Sequence, residues 1–307
     1  MTATGKGNIP LIYIVGNGHS GSTLLDLVIG SHSQIESVGE LVSIAPHAMG
    51  AASDERCTCG ASYANCEFWS PVIKLAMANL ADKSLDLRVT DQQLFAERNV
   101  ALLQAILQHS GARYVCDSSK IAKRLWTLQE CDTIDTFIIH LVRDGRAVGN
   151  SYQRAAVRQE KKGELDFDFR YVLRRWRRTN LKIWHKFHEN DRYFLIRYED
   201  FCADPRDVLL RLLPKLGLKY EEEMLQFRDT THHNISGNRM RLLPGQEIRR
   251  DLKYVSQLST WDWWRATAIA RKALSHFGYP MLRRHVQSMA QPECGVPATV
   301  PAGVTER

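Results

Sequence analysis

Several features are scarce in this 307-residue chain, and each scarcity removes a class of protein. No run of about 18 apolar residues occurs, so no membrane-spanning helix is expected. Near the N-terminus one lysine precedes a short apolar stretch, Leu11–Val15, and then Gly16-Asn17-Gly18. That stretch is too short for the apolar core of a secretory signal. The seven cysteines are an odd number in a long chain, which does not suit a disulfide framework. The cytoplasm is therefore the expected compartment. Acidic excess is missing too. The formal charge is +7, which suits an anionic ligand as well as a merely solvated surface. No internal repeat is evident. With 44% hydrophobic and 24% charged residues the chain can bury a sizeable core, as one large domain or two small ones.

One further absence is local. Leu11-Ile12-Tyr13-Ile14-Val15 reads as a short buried strand, Gly16 to Thr23 as a loop of glycines and small polar residues, and Leu24, Leu25, Leu27, Val28 and Ile29 as the start of a helix. Loop amides and the positive helix end converge on one point, where an anion fits. The spacing nearly matches a Walker A loop, but Ser22-Thr23 stands where Lys-Ser/Thr is expected. A loop without that lysine is built for a phosphate and not for splitting ATP.

Along the chain, residues 1–9 read as a flexible N-terminus, 32–40 as a polar segment ending in Gly39-Glu40, and 42–66 as irregular. Helices are expected from Phe68 to Ala81 and from Asp91 to His109, the second opened by a Thr90…Gln93 capping box and closed by Gly111. Tyr114–Cys116, Thr136–Val142 and Tyr193–Tyr198 read as strands, the second apolar enough to be buried on both faces. Residues 169–188 form a long basic amphipathic helix, and Pro205 opens another. The alternation predicts an open, mostly parallel α/β sheet. Polar clusters follow Val15, Cys116, Val142 and Arg197, at the strand ends where such sheets bind ligands. Residues 288–307, with Pro292, Pro297 and Pro301, read as a flexible tail.

Two clusters together resemble a family. Gly16 to Leu25 resembles the 5′-phosphosulfate loop of sulfotransferases. Leu141-Val142-Arg143-Asp144-Gly145-Arg146-Ala147-Val148-Gly149-Asn150-Ser151 resembles their 3′-phosphate motif, in which an Arg ending a strand and a Ser eight positions later grip the 3′-phosphate. Asp117-Ser118-Ser119-Lys120, Arg197-Tyr198-Glu199-Asp200 and Asn234-Ile235-Ser236-Gly237-Asn238-Arg239-Met240-Arg241 extend the likeness, with Arg239 where the last motif has Pro. The resemblance implies a P-loop NTPase-like α/β fold. It implies one domain over residues 10–287, with 41–90 an insertion that shapes the acceptor region. It also implies a donor, 3′-phosphoadenosine 5′-phosphosulfate, held by Gly18, His19, Ser20, Gly21, Ser22, Thr23, Arg143, Ser151, Gly237, Asn238 and Arg241. A donor with one 5′-side phosphate needs neither the Walker Lys nor a metal.

Two residues are the candidates for catalysis. His19 occupies a position where family members usually carry Lys or Arg, and it is read as a hydrogen-bond donor or acid toward the leaving group. Glu40 is read as the base that takes the acceptor's proton, a region where tyrosylprotein-type members look similar. His140 is the other base candidate, but inside an apolar strand it reads as a buried structural histidine. Lys120 and Ser119 are possible substrate contacts. Arg146 either reaches an anion or pairs with Asp144 or Glu199.

Cys57, Cys59 and Cys66 put three thiols within ten residues. They read as packing or a loose thiol cluster; the alternatives are a disulfide or zinc with a fourth ligand such as His47. One residue between the first pair is not a standard zinc knuckle. Arginines interleaved with aromatics in 170–186 read as the outer face of a helix, so no nucleic-acid partner is expected. The expected reaction is sulfuryl transfer to a hydroxyl of a small-molecule, lipid or glycan acceptor. The rivals are a P-loop kinase or NTPase acting on ATP, and an inactive nucleotide-binding regulator.

Overall fold

The computed structural model describes residues 8–48, 55–158, 164, 168–243, 245 and 247–288. Strands β1 (Ile9–Gly16), β2 (Ile35–Gly39), β3 (Tyr114–Lys120), β4 (Ile134–Val142) and β5 (Tyr193–Arg197) pair in parallel in the order β2-β3-β1-β4-β5. The apolar runs of β1 and β4 occupy the middle of the sheet and are covered on both faces.

Side chains alternate along β1. Ile12 and Ile14 face a core shared with α1 (Ser22–Ile29), α8 (Tyr198–Ala203) and α9 (Pro205–Leu212). Leu11, Tyr13 and Val15 face a core shared with α3 (Trp69–Ala78), α4 (Gln92–Ser110) and α5 (Ala122–Leu128). A third cluster joins the end of β4 to α6 (Gly145–Arg158), α7 (Phe169–Phe187) and α11 (Thr260–His276), and a fourth packs α10 (Lys253–Gln257) against α6 and α11. α7 turns Val172, Leu173, Trp176, Asn180, Ile183 and Phe187 inward and leaves Arg174 and Arg178 exposed, which is the amphipathic reading of that basic stretch.

Where they are described, residues 41–66 form short turns: a 3-10 turn at Leu41–Ser43, α2 at Ala45–Ala48, and a second 3-10 turn at Tyr63–Asn65. Cys57, Tyr63, Cys66, Phe68 and Trp69 join the same core as Leu11 and Tyr13, so the insertion packs as part of the sheet's own layer. None of the described helices is long and apolar enough to cross a membrane.

Three local expectations are corrected. The polar segment 32–40 contains β2, an edge strand hydrogen-bonded in the sheet only to β3; Glu36 and Ser37 interrupt its apolar pattern and hide it. α4 is capped by Asp91, whose carboxylate accepts the Leu94 N–H at 2.8 Å, so the expected Thr90 cap is one residue early. α3 runs from Trp69 to Ala78, shorter at both ends than the expected helix. The expected loose N-terminus and tail lie outside the described residues, except that Ile9 already belongs to β1 and Ser288 ends α12 (Arg283–Ser288).

Candidate active site

The carboxyl ends of β1, β3 and β4 open on a cavity of about 1310 Å³. Its wall includes Gly18, His19, Gly21, Ser22 and Thr23 from the first loop, Glu40 after β2, Lys120 at the end of β3, and Arg143 and Ser151 after β4. Gly237 and Asn238 close it from a later loop. Seven cationic side chains border the cavity against three carboxylates, so its field favours an anion.

The first loop is shaped by what lies beneath it. Gly21 takes φ +92° and caps α1, and a Cβ there would fall 2.4 Å from the Tyr198 ring. Only glycine allows both the left-handed turn and the close approach. The first amides of α1 then have no carbonyl of their own to bond. Asn180 of α7 donates to Asn17 Oδ1 at 2.9 Å and ties the start of the loop down. Ser20 lies beneath the loop, its hydroxyl buried with no partner among the described residues.

His19 is where the two sequence motifs meet. Arg143 Nη1 donates to its carbonyl oxygen at 3.0 Å, and Ser151 Oγ lies 3.0 Å from its Nδ1. The imidazole packs edge-on against Tyr152 with centroids 4.3 Å apart. Burial, then the positive charges of Arg143 and Arg158, lower its pKa from 6.5 to about 4. The ring is therefore neutral at neutral pH. The sign is that of a depressed group: its contribution to stability is complete above the unfolded value of 6.5 and is lost as the pH falls through about 4. An imidazole NMR titration of the free protein should find this midpoint well below that of an exposed histidine. Binding of adenosine 3′,5′-bisphosphate, a polyanion, should move it upward. A midpoint that the ligand leaves unmoved would place the ring away from the anion.

Arg143 is held on all sides. Its Nη2 donates to the Asp251 carbonyl at 3.0 Å and lies 3.3 Å from the Asp251 carboxylate, and its guanidinium sits 4.6 Å from the centre of the Tyr198 ring. Trp176 Nε1 donates to the Arg143 carbonyl at 3.0 Å, so α7 fixes the backbone at the strand end. The Arg143 Nε has no partner among the described residues.

Glu40 stands across the loop. Gly39, at φ +73°, lets the chain press against Ile235, where a Cβ would fall 2.4 Å from the Ile235 oxygen. The Glu40 N–H donates to that oxygen at 2.8 Å, and Ile235 N–H donates to Val38 O at 2.9 Å. Lys120 Nζ donates to Glu40 Oε1 and to Ser118 O, the latter at 3.3 Å. Asn238 N–H donates to Thr23 Oγ1 at 3.1 Å, and a Cβ on Gly237 would stand 3.2 Å from that oxygen and 3.7 Å from Glu40 Oε1. Cradle, later loop and carboxylate thus meet within a few ångströms.

A model of the sulfotransferase family matches residues 10–222. The chain belongs to that family. Among solved structures it is similar to the sulfotransferase domain from the curacin biosynthetic pathway, at 19% identity over 89% of this chain and 99% of that one, with a TM-score of 0.57. It is also similar to the sulfotransferase domain of the olefin synthase of Synechococcus PCC 7002, at 20% identity, 91% and 98% coverage and a TM-score of 0.52. At these identities the likeness is one of fold, and it agrees with the P-loop-like α/β architecture. None of the curated proteins is detectably similar in sequence.

Within this family member, three sequence expectations, those for Arg241, Ser119 and His47, are placed elsewhere by the structure, while Arg146 pairs with Asp144 and His140 is buried as the sequence suggests. Arg241 does not border the cavity. It is buried, with Nη1 donating to Thr58 Oγ1 at 3.2 Å and Nη2 lying 3.5 Å from Glu55. Arg239 borders the cavity instead, because the 3-10 turn Arg239–Leu242 rotates each residue by about a third of a turn. Ser119 is buried, donating to Asp117 and accepting from Val42 N–H at 3.1 Å, and does not border the cavity. Arg146 is fully buried on Asp144, Thr267 and the carbonyls of Pro280 and Met281. His47 lies 3.4 Å from Glu55 and is not the histidine beside the thiols. His140 is buried between Tyr193 and Asn180, and burial lowers its pKa to about 4.

The sequence reading missed Arg154 and Arg158 on the cavity wall. The signal was present: from Ser151 on α6 they lie at i+3 and i+7, one helix face. Asp251 and Lys253 carry no comparable signal, since only folding brings that segment across the strand ends.

Proposed function

We propose that this chain transfers a sulfuryl group from 3′-phosphoadenosine 5′-phosphosulfate to an acceptor hydroxyl. The observation that carries the reading is the meeting of both motifs at His19, with Arg143 on its carbonyl and Ser151 on its ring. A cradle and a second cation site share one cavity rich in positive charge, which suits a nucleotide with anionic groups at both ends. The Arg143 Nε, without a partner among the described residues, is a polar atom such a ligand would satisfy.

Bound there, the donor supplies a sulfuryl group on a phosphate oxygen, a good leaving group. The first-turn amides of α1 and the Ser22 and Thr23 hydroxyls stabilise the charge growing on that oxygen. In the tautomer in which Ser151 donates to Nδ1, the proton of the neutral His19 ring sits on Nε2 and that N–H is a donor. A serine has one O–H to give, so a 3′-phosphate that takes the Ser151 proton releases His19. Glu40, beside Lys120, accepts the acceptor's proton. The sulfur–oxygen bond to the donor breaks with its electron pair on the phosphate, and the acceptor oxygen forms the new one.

A thermal-shift panel tests the donor class. Adenosine 3′,5′-bisphosphate at about 100 times its Kd should raise Tm by roughly 5 °C, while ATP–Mg²⁺ and GTP–Mg²⁺ should not. Selective stabilisation by ATP would reverse the assignment to a kinase or NTPase.

A further inference from the structure

Cys57, Cys59 and Cys66 converge with a residue that the thiol spacing alone does not reveal, His233. The four potential ligand atoms, three Sγ and one imidazole nitrogen, all lie within 4.8 Å of one another. Cys66 Sγ is 3.6 Å from Cys57 Sγ and 3.7 Å from Cys59 Sγ. His233 Nδ1 is 3.6 Å from Cys57 Sγ and 3.3 Å from Cys66 Sγ. A tetrahedron with zinc–sulfur bonds of about 2.3 Å and a zinc–nitrogen bond of about 2.0–2.1 Å has edges of ~3.8 Å between sulfurs and ~3.5 Å from sulfur to nitrogen. The four edges given above match these values, and the other two, from Cys59 Sγ to Cys57 Sγ and to His233, are no longer than 4.8 Å. A disulfide would need one sulfur pair at about 2.05 Å, and here two sulfurs stand equally far from a third.

The geometry points to a structural zinc site, bound by the Sγ atoms of Cys57, Cys59 and Cys66 and by Nδ1 of His233. Four protein ligands close the coordination shell, so the ion has no open position for chemistry. On binding, the three thiols release their protons to solvent and His233 coordinates as a neutral imidazole, leaving one net negative charge. Arg241, bonded to Thr58 between two of the ligands, lies beside that charge. The surroundings hold the ligands in place. Phe68 stacks on the His233 ring with centroids 5.0 Å apart and planes 9° from parallel. Trp69 N–H points at Cys66 Sγ at 3.5 Å, and Trp69 Nε1 donates to the His233 carbonyl. Backbone N–H groups aimed at a ligating sulfur are what a thiolate requires. Cys57 N–H donates to Ala61 O at 3.0 Å and Gly60 N–H to Cys57 O at 2.9 Å, a tight turn that presents Cys57 and Cys59 together despite the single residue between them.

The place of the ion explains its use. The described residues between Glu40 and Phe68 are otherwise short turns. His233 belongs to the segment that continues through Asn234, hydrogen-bonded to Asp26 and Ser37, and Ile235, bonded to Glu40, to Gly237 and Asn238 over Thr23. Zinc therefore pins the insertion to the loop that closes the cavity. This inference does not rest on the identity of the donor.

Metal content decides it. The full chain, made without a polyhistidine tag in zinc-supplemented medium, should contain about one zinc per chain by elemental analysis. Titration with a mercurial should release that zinc in step with thiol modification. Chain grown with cobalt should show thiolate-to-cobalt charge-transfer bands and the visible bands of a tetrahedral site. Cys66→Ser should lose the metal, while Cys131→Ser, outside the cluster, should keep it. If Cys66→Ser does not fold, the wild-type metal content and cobalt spectrum still decide. Less than about 0.1 zinc per chain, a disulfide among the three cysteines in a non-reducing peptide map, or iron or copper in place of zinc would overturn the proposal.

Discussion

Glu40→Gln should lower the turnover number for a hydroxyl acceptor by about 10²–10⁴-fold, the range that a positioned general base supplies. The substitution keeps the shape of the side chain and its amide oxygen can still accept from Lys120 Nζ, so the local fold should survive. What is lost is the ability to take a proton. Affinity for adenosine 3′,5′-bisphosphate should stay within about twofold, because Glu40 stands on the far side of the loop from Arg143 and Ser151. The pair of measurements separates base from scaffold. Full turnover in Glu40→Gln would leave the residue as the ion-pair partner of Lys120 and nothing more. Weakened bisphosphate binding with unchanged turnover would mean that the Glu40–Lys120 pair shapes the donor pocket.

Arg143→Ala should weaken bisphosphate binding by about 10²–10⁴-fold. Two charge-assisted hydrogen bonds to a phosphate contribute about 1.5–3 kcal/mol each, and every 1.4 kcal/mol is tenfold in Kd. Arg143 also holds the His19 carbonyl and Asp251 and packs on Tyr198, so its removal disturbs the loop as well as the contact. Ser151→Ala provides the second measurement. It deletes one hydroxyl on α6, leaves Arg143 in place, and should weaken the same ligand by a smaller factor, about tenfold. Calorimetric binding beside a thermal melt of each variant tells lost affinity from lost fold. Unchanged affinity in a folded Arg143→Ala would remove the 3′-phosphate from this position.

Strand ends and strand contents were legible at very different levels. β1 and β4 announce themselves as apolar runs because a central parallel strand must be apolar on both faces. β2 is as much a part of the sheet, yet Glu36 and Ser37 break its pattern, and a five-residue edge strand has too few core positions to show one. The helix cap at Asp91 was missed by one residue because Thr90 and Asp91 are both good caps, and only the path of the chain chooses between them.

The candidate site divides the same way. Gly16 to Thr23, and Arg143 with Ser151 eight positions on, were readable because each set is local: one turn of loop, or two turns of a single helix. Arg154 and Arg158 were readable in principle by the same helical spacing. His233 was not. It lies 167 residues from Cys66, and no spacing rule reaches that far. The nearer histidine, His47, is turned instead toward Glu55. Arg241 carries a charge suited to phosphate, but a short 3-10 turn points it into the insertion and sets Arg239 on the cavity wall.

The sequence alone determined the parallel α/β architecture and the two motifs at its strand ends, because both depend on short-range periodicity and on backbone chemistry within one loop or helix. The family follows from those motifs. Only the tertiary structure decided which polar side chains line the cavity. Arg146, Arg241 and Ser119 are consumed by buried partners distant in sequence, while Arg154, Arg239 and Lys253 are left at the cavity wall. A residue's chemistry is written in its type, but its availability is set by what packs against it, and those neighbours come from elements far apart in the chain.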